Sequence, residues 1–168
     1  MAVVKSLADG HTKVVTLAAP LTAAASITVL NAATDISMRI LATDFDLGPT
    51  GSSTIDEKPL SASGNFQTFD ASNYGGGATV FRYYVDTTKI PDVVGDAVFA
   101  AHTPKGSTLY LVVRESAKAS TDVFTVGDEY DYYEVITDDP MQVSRVGYIK
   151  RRFNYAVQNA RLVDVATV

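Results

Sequence analysis

STLYLVVR, residues 107–114, alternates strictly: Leu109, Leu111 and Val113 point one way, and Thr108, Tyr110, Val112 and Arg114 the other. Successive side chains of an extended chain project to opposite faces, so a period of two marks a strand with one face on a core. Pro104, Lys105 and Gly106 supply the turn that introduces it. The same period governs ATVFRYYVD at 78–86, where Phe81, Tyr83 and Val85 oppose Val80, Arg82 and Tyr84. Further strands are expected over 12–17, 26–30, 36–43, 64–69, 122–126, 129–137, 142–154 and 157–166. Such a series implies a mainly β fold, two packed antiparallel sheets in a β-sandwich or a fragment of a barrel.

One segment breaks the pattern. In IPDVVGDAVFAAH, Ile90, Val93, Val94, Ala97, Val98 and Ala101 recur at helical spacing. Pro91 suits a first helical turn and Asp92 its positive end. A single helix over 90–102 is expected, flanking the sheets with its apolar side, although Gly95 weakens it by roughly 1 kcal/mol relative to alanine.

The stretch 44–79, DFDLGPTGSSTIDEKPLSASGNFQTFDASNYGGGAT, is punctuated by Gly48, Pro49, Gly51, Pro59, Gly64 and the run Gly75 to Gly77. It reads as one long loop inserted in a single domain of residues 1–168. Both termini read as arms. Ile55, Leu60, Phe66 and Phe69 lie in the inserted stretch, and apolar residues scattered through a loop need a surface to pack on.

Composition narrows the function classes. The chain has 168 residues, 46% hydrophobic and 20% charged, with a formal net charge of −5. That acidic balance gives no bulk attraction to nucleic-acid phosphates. There is no cysteine, hence no disulfide and no thiolate metal site. His11 and His102 stand alone, without the spacing of a metal or catalytic pair. Asp44-Phe45-Asp46-Leu47-Gly48 opens like a calcium loop but lacks the next odd-position Asp and the closing Glu. Gly75 to Gly77 precede a strand, not the Lys-Ser/Thr and helix of a phosphate cradle, and read as flexible loop. No catalytic, cofactor or metal site is expected. The start, MAVVKSLADGHTK, is no signal peptide, and residues 14–34 are too interrupted to span a membrane. Synthesis in a cytoplasm, without membrane insertion, is the expectation.

Charge is blocked in the C-terminal third. GDEYDYYEVITDD at 127–139 is acidic, and SRVGYIKRRFNY at 144–155 carries Arg145, Lys150, Arg151 and Arg152. Either two solvated strand faces pair across a ladder, or one subunit's acidic edge docks on its neighbour's basic edge, and both can hold. The tyrosines among these charges read as sheet or interface residues, not as base-stacking platforms.

STIDEKPL at 53–60, TVFRYYVD at 79–86, KGSTLYLVVRES at 105–116, GDEYDYYEVITDDP at 127–140 and GYIKRRF at 147–153, in this order, resemble the major tail tube proteins of long-tailed phages, especially those of actinobacteria. The resemblance implies a hexameric ring whose inner strands join into one barrel, rings stacked into a tube, and a virion tail through which DNA passes transiently. It implies a tape-measure protein and tail-end virion proteins as partners. A conduit should repel DNA, so Asp44, Asp46, Asp128, Glu129, Asp131 and Glu134 are candidates for the inner wall. Arg145, Lys150, Arg151 and Arg152 are candidates for an inter-subunit basic edge, and Ile55, Leu60, Phe66 and Phe69 for contacts between rings. The alternatives are another virion sandwich (tail terminator, head–tail joining or capsid decoration protein) or a carbohydrate-binding β-sandwich module. The absence of Trp weighs against the last.

Overall fold

A computed structural model describes residues 8–58, 60–61, 63–64 and 66–168 of the chain. Residues 1–7, read as an N-terminal arm, lie outside the described residues. In chain order the elements are β1 (Thr12–Leu17), α1 (Ile27–Ala32), β2 (Thr34–Asp35), β3 (Gly48–Thr50), β4 (Thr54–Glu57), β5 (Phe66–Phe69), β6 (Asn73–Gly75) and β7 (Gly77–Phe81). They continue with α2 (Ala97–His102), β8 (Thr108–Glu115), β9 (Glu129–Thr137), β10 (Met141–Gln142) and β11 (Lys150–Val165). The fold is mainly β, and every ladder between these strands is antiparallel.

One seven-stranded sheet dominates, in the order β10-β11-β9-β8-β1-β2 with β7 also on β11. Its spine is the 16-residue β11. Lys150 to Asn154 pair with β7, while Tyr155 to Val165 pair with β9. The ladder slips between Val157 and Asn159 and again between Arg161 and Asp164. Each extra residue bends and twists the strand, so the sheet curls into half a barrel.

The curl creates the main core. Leu109, Leu111 and Val113 of β8, Tyr133 and Val135 of β9, and Phe153 and Tyr155 of β11 meet Val80 and the Phe99 ring of α2. The opposite side of β8 and β9 carries a second cluster, with Val112, Tyr130 and Tyr132 packed against Leu30 of α1 and Phe124. Both faces predicted by STLYLVVR are therefore real, and the inner ends of both are buried. Each fully buried Leu, Val or Phe stabilises by about 1.5–3 kcal/mol relative to exposure. Tyrosine hydroxyls also work as anchors: Tyr130 accepts the Ala25 N–H at 2.6 Å and Tyr132 that of Leu21 at 3.3 Å.

Several local expectations give way. Residues 26–30 are not a strand; Ser26 accepts the Val29 N–H and caps α1, whose Leu30 seals the second core. Residues 36–43 turn through two short 3-10 segments, Ser37–Arg39 and Ala42–Asp44. No strand forms over 122–126. The regions 142–154 and 157–166 yield one long strand with two register shifts plus the two-residue β10. The C-terminus is tied to its own subunit, with Thr167 and Ala25 bonded backbone to backbone and Ala166 buried.

The helix is shorter than its periodicity suggests. Only Ala97–His102 is helical, because the preceding residues make other bonds. Asp92 accepts the Gly95 N–H, and the Asp96 carboxylate takes the Arg82 guanidinium and the Tyr83 N–H. The run Gly75 to Gly77, read as flexible, is instead a close crossing. Gly76 has φ +130°, and a Cβ on it would strike the Asp46 backbone; one on Gly77 would strike the Phe153 carbonyl.

His102 locks α2 to the sheet. Its Nδ1 lies 2.7 Å from the Val98 carbonyl and its Nε2 2.9 Å from the Tyr155 hydroxyl, so the neutral Nδ1–H tautomer satisfies both, with Tyr155 donating. Burial pushes its pKa down, against the Val98 hydrogen bond, which pulls it up. A depressed folded-state pKa means that the unfolded chain takes up the proton first as pH falls. Stability is thus expected to be full above the unfolded value of 6.5 and to decline below it, with a slope of at most about 1.4 kcal/mol per pH unit. Urea unfolding from pH 7.5 to 5.5 measures this. His102→Gln should lose that component of the slope; an unchanged slope removes the assignment.

Candidate assembly surfaces

The stretch 44–79 is built of two ladders stacked end to end. Gly48 to Thr50 pair with Asn73 to Gly75, and beyond them Thr54 to Glu57 pair with Phe66 to Phe69. The result is a hairpin arm leaving the sheet at the Gly77 end of β7. Of its four apolar candidates, Ile55 is 41% exposed, Phe69 76%, and Leu60 fully exposed. The side chain of Phe66 lies outside the described ones. An isolated two-stranded hairpin is marginal in water, so three apolar side chains on its outside mark a surface suited to a partner.

The acidic candidates separate into two groups. Asp44, Asp46 and Asp128 are engaged within the subunit. The Arg152 guanidinium meets both Asp46 oxygens at 2.8 and 2.9 Å and also donates to the Asp44 carbonyl. Thr79 donates to the Asp44 carboxylate at 3.0 Å, and the Gly77 N–H to that of Asp46 at 2.7 Å. Asp128 is bound by Lys118, by the Thr125 N–H and by the buried Arg114. Burial raises the Asp128 pKa, but the Lys118 and Thr125 hydrogen bonds outweigh it and hold the carboxyl below the usual range.

Glu129, Asp131 and Glu134 have no cationic partner among the described residues. Strand alternation divides them. Glu129 and Asp131 share the side of Tyr133, where Asp131 accepts the Val163 N–H at 2.8 Å and, with Glu115, raises the already burial-shifted Tyr133 pKa. Glu134 projects to the other side, between Tyr110 and Asn159 in the ladder. The structure therefore does not gather the acidic candidates on one wall.

The basic candidates do not face the acidic strand. Lys150, Arg151 and Arg152 pair with Phe81, Val80 and Thr79, one strand length beyond β9. The cross-ladder pairing of acidic and basic faces is thus replaced by Arg152–Asp46, two residues far apart in sequence. Lys150 donates to the Val146 and Tyr148 carbonyls, Arg151 to the Lys150 carbonyl and Arg145 to the Gln142 amide oxygen. None of these three meets a carboxylate among the described residues.

Two sheet edges stay open. Past Val157, β11 pairs with β9 alone, and at the far side of the sheet β1 is covered by the two-residue β2 and by Ile36 and Ser37 at Val14, with no strand beyond β2 among the described residues. Open edges expose unpaired N–H and C=O groups and invite another chain. Among the described residues no helix is long and apolar enough to cross a membrane, and no cluster of His, Asp and Glu could hold a metal ion.

No curated protein matches the sequence. A family model described as phage tail tube protein matches residues 1–168, the whole length of the chain. The open edges, the projecting arm and this full-length match agree on a self-associating structural part of a virion tail, and the chain belongs to the phage tail tube protein family.

Proposed function

We propose that the chain forms hexameric rings that stack into the tail tube and conduct the genome. The observation that carries this reading is the pair of open edges at opposite ends of one curled sheet. A half-barrel with one free edge on β11 and another on the β1–β2 side can repeat around an axis. Each β11 edge meets the next subunit's β1 side, a heterologous contact that closes as a ring and removes both edges.

The part of the second side that α1 and Phe124 leave uncovered, where Thr108, Glu134, Ile136, Asn154 and Ala156 project, becomes the inner wall. It carries Glu134 among neutral residues, and the cations nearest it are held by carboxylates of the same subunit, Arg161 by Asp164, Arg152 by Asp46 and Lys105 by Asp138 and Asp139, which suits a duplex that slides without binding. Of the acidic candidates, Glu134 is therefore the one assigned to the lumen. A tape-measure protein fills that lumen before DNA does, tail-end virion proteins close the tube, and the subunit is made in the host bacterial cytoplasm.

The purified chain is expected to form six-fold rings and tubes in electron micrographs, with Glu134 on the inner wall of a reconstruction. A protein that stays monomeric at high concentration in several salts refutes the assembly. A reconstruction with a net basic lumen refutes the wall assignment alone.

A further inference from the structure

The subunit has two unlike ends, fixed by β7. The hairpin arm leaves at Gly77, whereas Phe81 opens into the loop 82–96 and lies beside the turn 143–149. These last two segments form one platform: the Arg82 N–H donates to the Ile149 carbonyl at 2.9 Å, and the Phe81 and Tyr148 rings meet edge to face at 6.0 Å.

The platform is rigid yet apolar outside. Arg82 lies over the Phe99 ring at 4.1 Å and the Tyr84 ring at 5.1 Å while its Nε and Nη2 bind Asp96. Asp92 accepts the Gly95 N–H and donates its own N–H to the Tyr83 carbonyl, and Val85 donates to Ile90. Held in this way, Val93 is 87% exposed, Val94 81%, Val146 81% and Tyr148 81%, with Ile90 and Ile149 beside them. Ordered loops with that much apolar surface mark an interaction site.

Charge selects the occupant. Arg145, Lys150 and Arg151 at the platform have no carboxylate partner among the described residues, and its own Asp86 and Asp92 are engaged by Lys89 and by the Gly95 N–H. At the other end, the arm exposes Asp56, Glu57 and Asp70 against the single cation Lys58, none of the three paired with a cation among the described residues, together with Ile55, Leu60 and Phe69. One end is apolar and basic; the opposite end is apolar and acidic.

We infer that the platform of loop 82–96 and turn 143–149 is the receptor for the hairpin arm of a second copy of this chain, in the next ring. The inference rests on the stacking proposed above and names both halves of the contact. It also moves Arg145, Lys150 and Arg151 from a side-to-side edge to a head-to-tail one. A heterologous contact between the two ends of one chain propagates along an axis without closing, as a tube requires.

A charge exchange tests it. Asp56→Lys with Glu57→Lys makes the arm basic, and Arg145→Glu with Arg151→Glu makes the platform acidic; all four side chains lie on the surface or half-buried, outside both cores. Each variant alone sets like charges against each other and should give rings without tubes. Mixing the two ring populations should restore tubes, because the basic arm meets the acidic platform and the acidic arm meets the unchanged basic one. The chain carrying all four changes should build tubes by itself. Either single variant forming tubes as the wild type does, or a mixture that stays as rings while circular dichroism shows folded subunits, overturns the inference. A wild-type chain that makes no rings fails at the earlier step and refutes the assembly reading itself.

Discussion

A chain lacking residues 53–70, with Ser52 joined to Ala71 under the β3–β6 ladder, is expected to fold normally and to build no tubes. The cut removes β4 and β5, which pair only with each other. Among the described residues none of either core cluster lies in the segment, so the unfolding free energy should change by no more than about 1 kcal/mol. Assembly should change far more. Ile55, Leu60 and Phe69 leave water only when another molecule covers them, each contributing up to about 1.5–3 kcal/mol if fully buried. In a ring the arms engage together, so the loss is multiplied by the number of subunits, as in any multivalent contact. Electron microscopy and sedimentation read the result: discrete rings where the full chain gives tubes, with an unchanged circular dichroism spectrum. Tubes of normal length from the shortened chain would place stacking elsewhere in the subunit.

Where side-chain alternation coincided with burial, the sequence was readable. β8 and β9 stand close to the expected 107–114 and 129–137, because both strands are central and their pattern answers to cores on both faces. The failures share a physical cause, tertiary contacts that override local preference. Ile27, Thr28 and Val29 are β-branched and suggest a strand, yet Ser26 caps a helical turn there, and Leu30 with the Asn31 side chain, bonded to Phe124 backbone at 2.8 and 2.9 Å, holds it to the second core. In 90–102 the helical spacing was present, but Asp92 and Asp96 spend their carboxylates on turn N–H groups and on Arg82, so helix begins only at Ala97. Val93 and Val94, which the periodicity placed against a sheet, are left in solvent. That misfit between pattern and burial is the clearest surface signal on the molecule.

Site residues were legible by type and not by partner. Acidic and basic blocks stand out in the sequence, but no spacing rule links Asp46 to Arg152 or Asp128 to Arg114. Those ion pairs depend on how β11 crosses β7 and how the loop 116–128 folds over β8. The inserted stretch shows the complementary case. Its Gly and Pro content concealed short strands, since four-residue ladders in a hairpin need no core to set a period. Apolar residues without a core of their own were nevertheless a usable signal, and Leu60 and Phe69 are indeed exposed.

Arg114 is expected to be the costliest single side chain to remove. It is completely buried on the second face of β8, where alternation alone would place an ordinary surface cation. Its guanidinium donates to the carbonyls of Ala119 at 2.8 Å, Val123 at 3.1 Å and Asp122 at 3.3 Å, reaches Asp128 at 3.4 Å and lies 5.0 Å from the centre of the Phe124 ring. One planar group thus organises the whole loop 116–128, which contains no strand or helix of its own. Replacing an entire buried ion cluster with apolar groups can be neutral, but removing one member strands the others. In Arg114→Met the buried carbonyls of Asp122 and Val123 would lose the guanidinium donor, while the Ala119 carbonyl and Asp128 Oδ2 would each keep a single backbone donor, the Asp122 and Thr125 N–H. A loss of about 3–5 kcal/mol follows, or a fall in Tm of about 10 °C for a domain of this size. Arg114→Lys should recover little, since a single ammonium cannot reach carbonyls spread across the guanidinium fork. Hydrogen exchange should locate the damage in 116–128 and spare the β9–β11 ladder below the midpoint. An Arg114→Met chain as stable as the wild type, with its loop equally protected, would mean that packing against Phe124 and not the guanidinium holds this part of the fold.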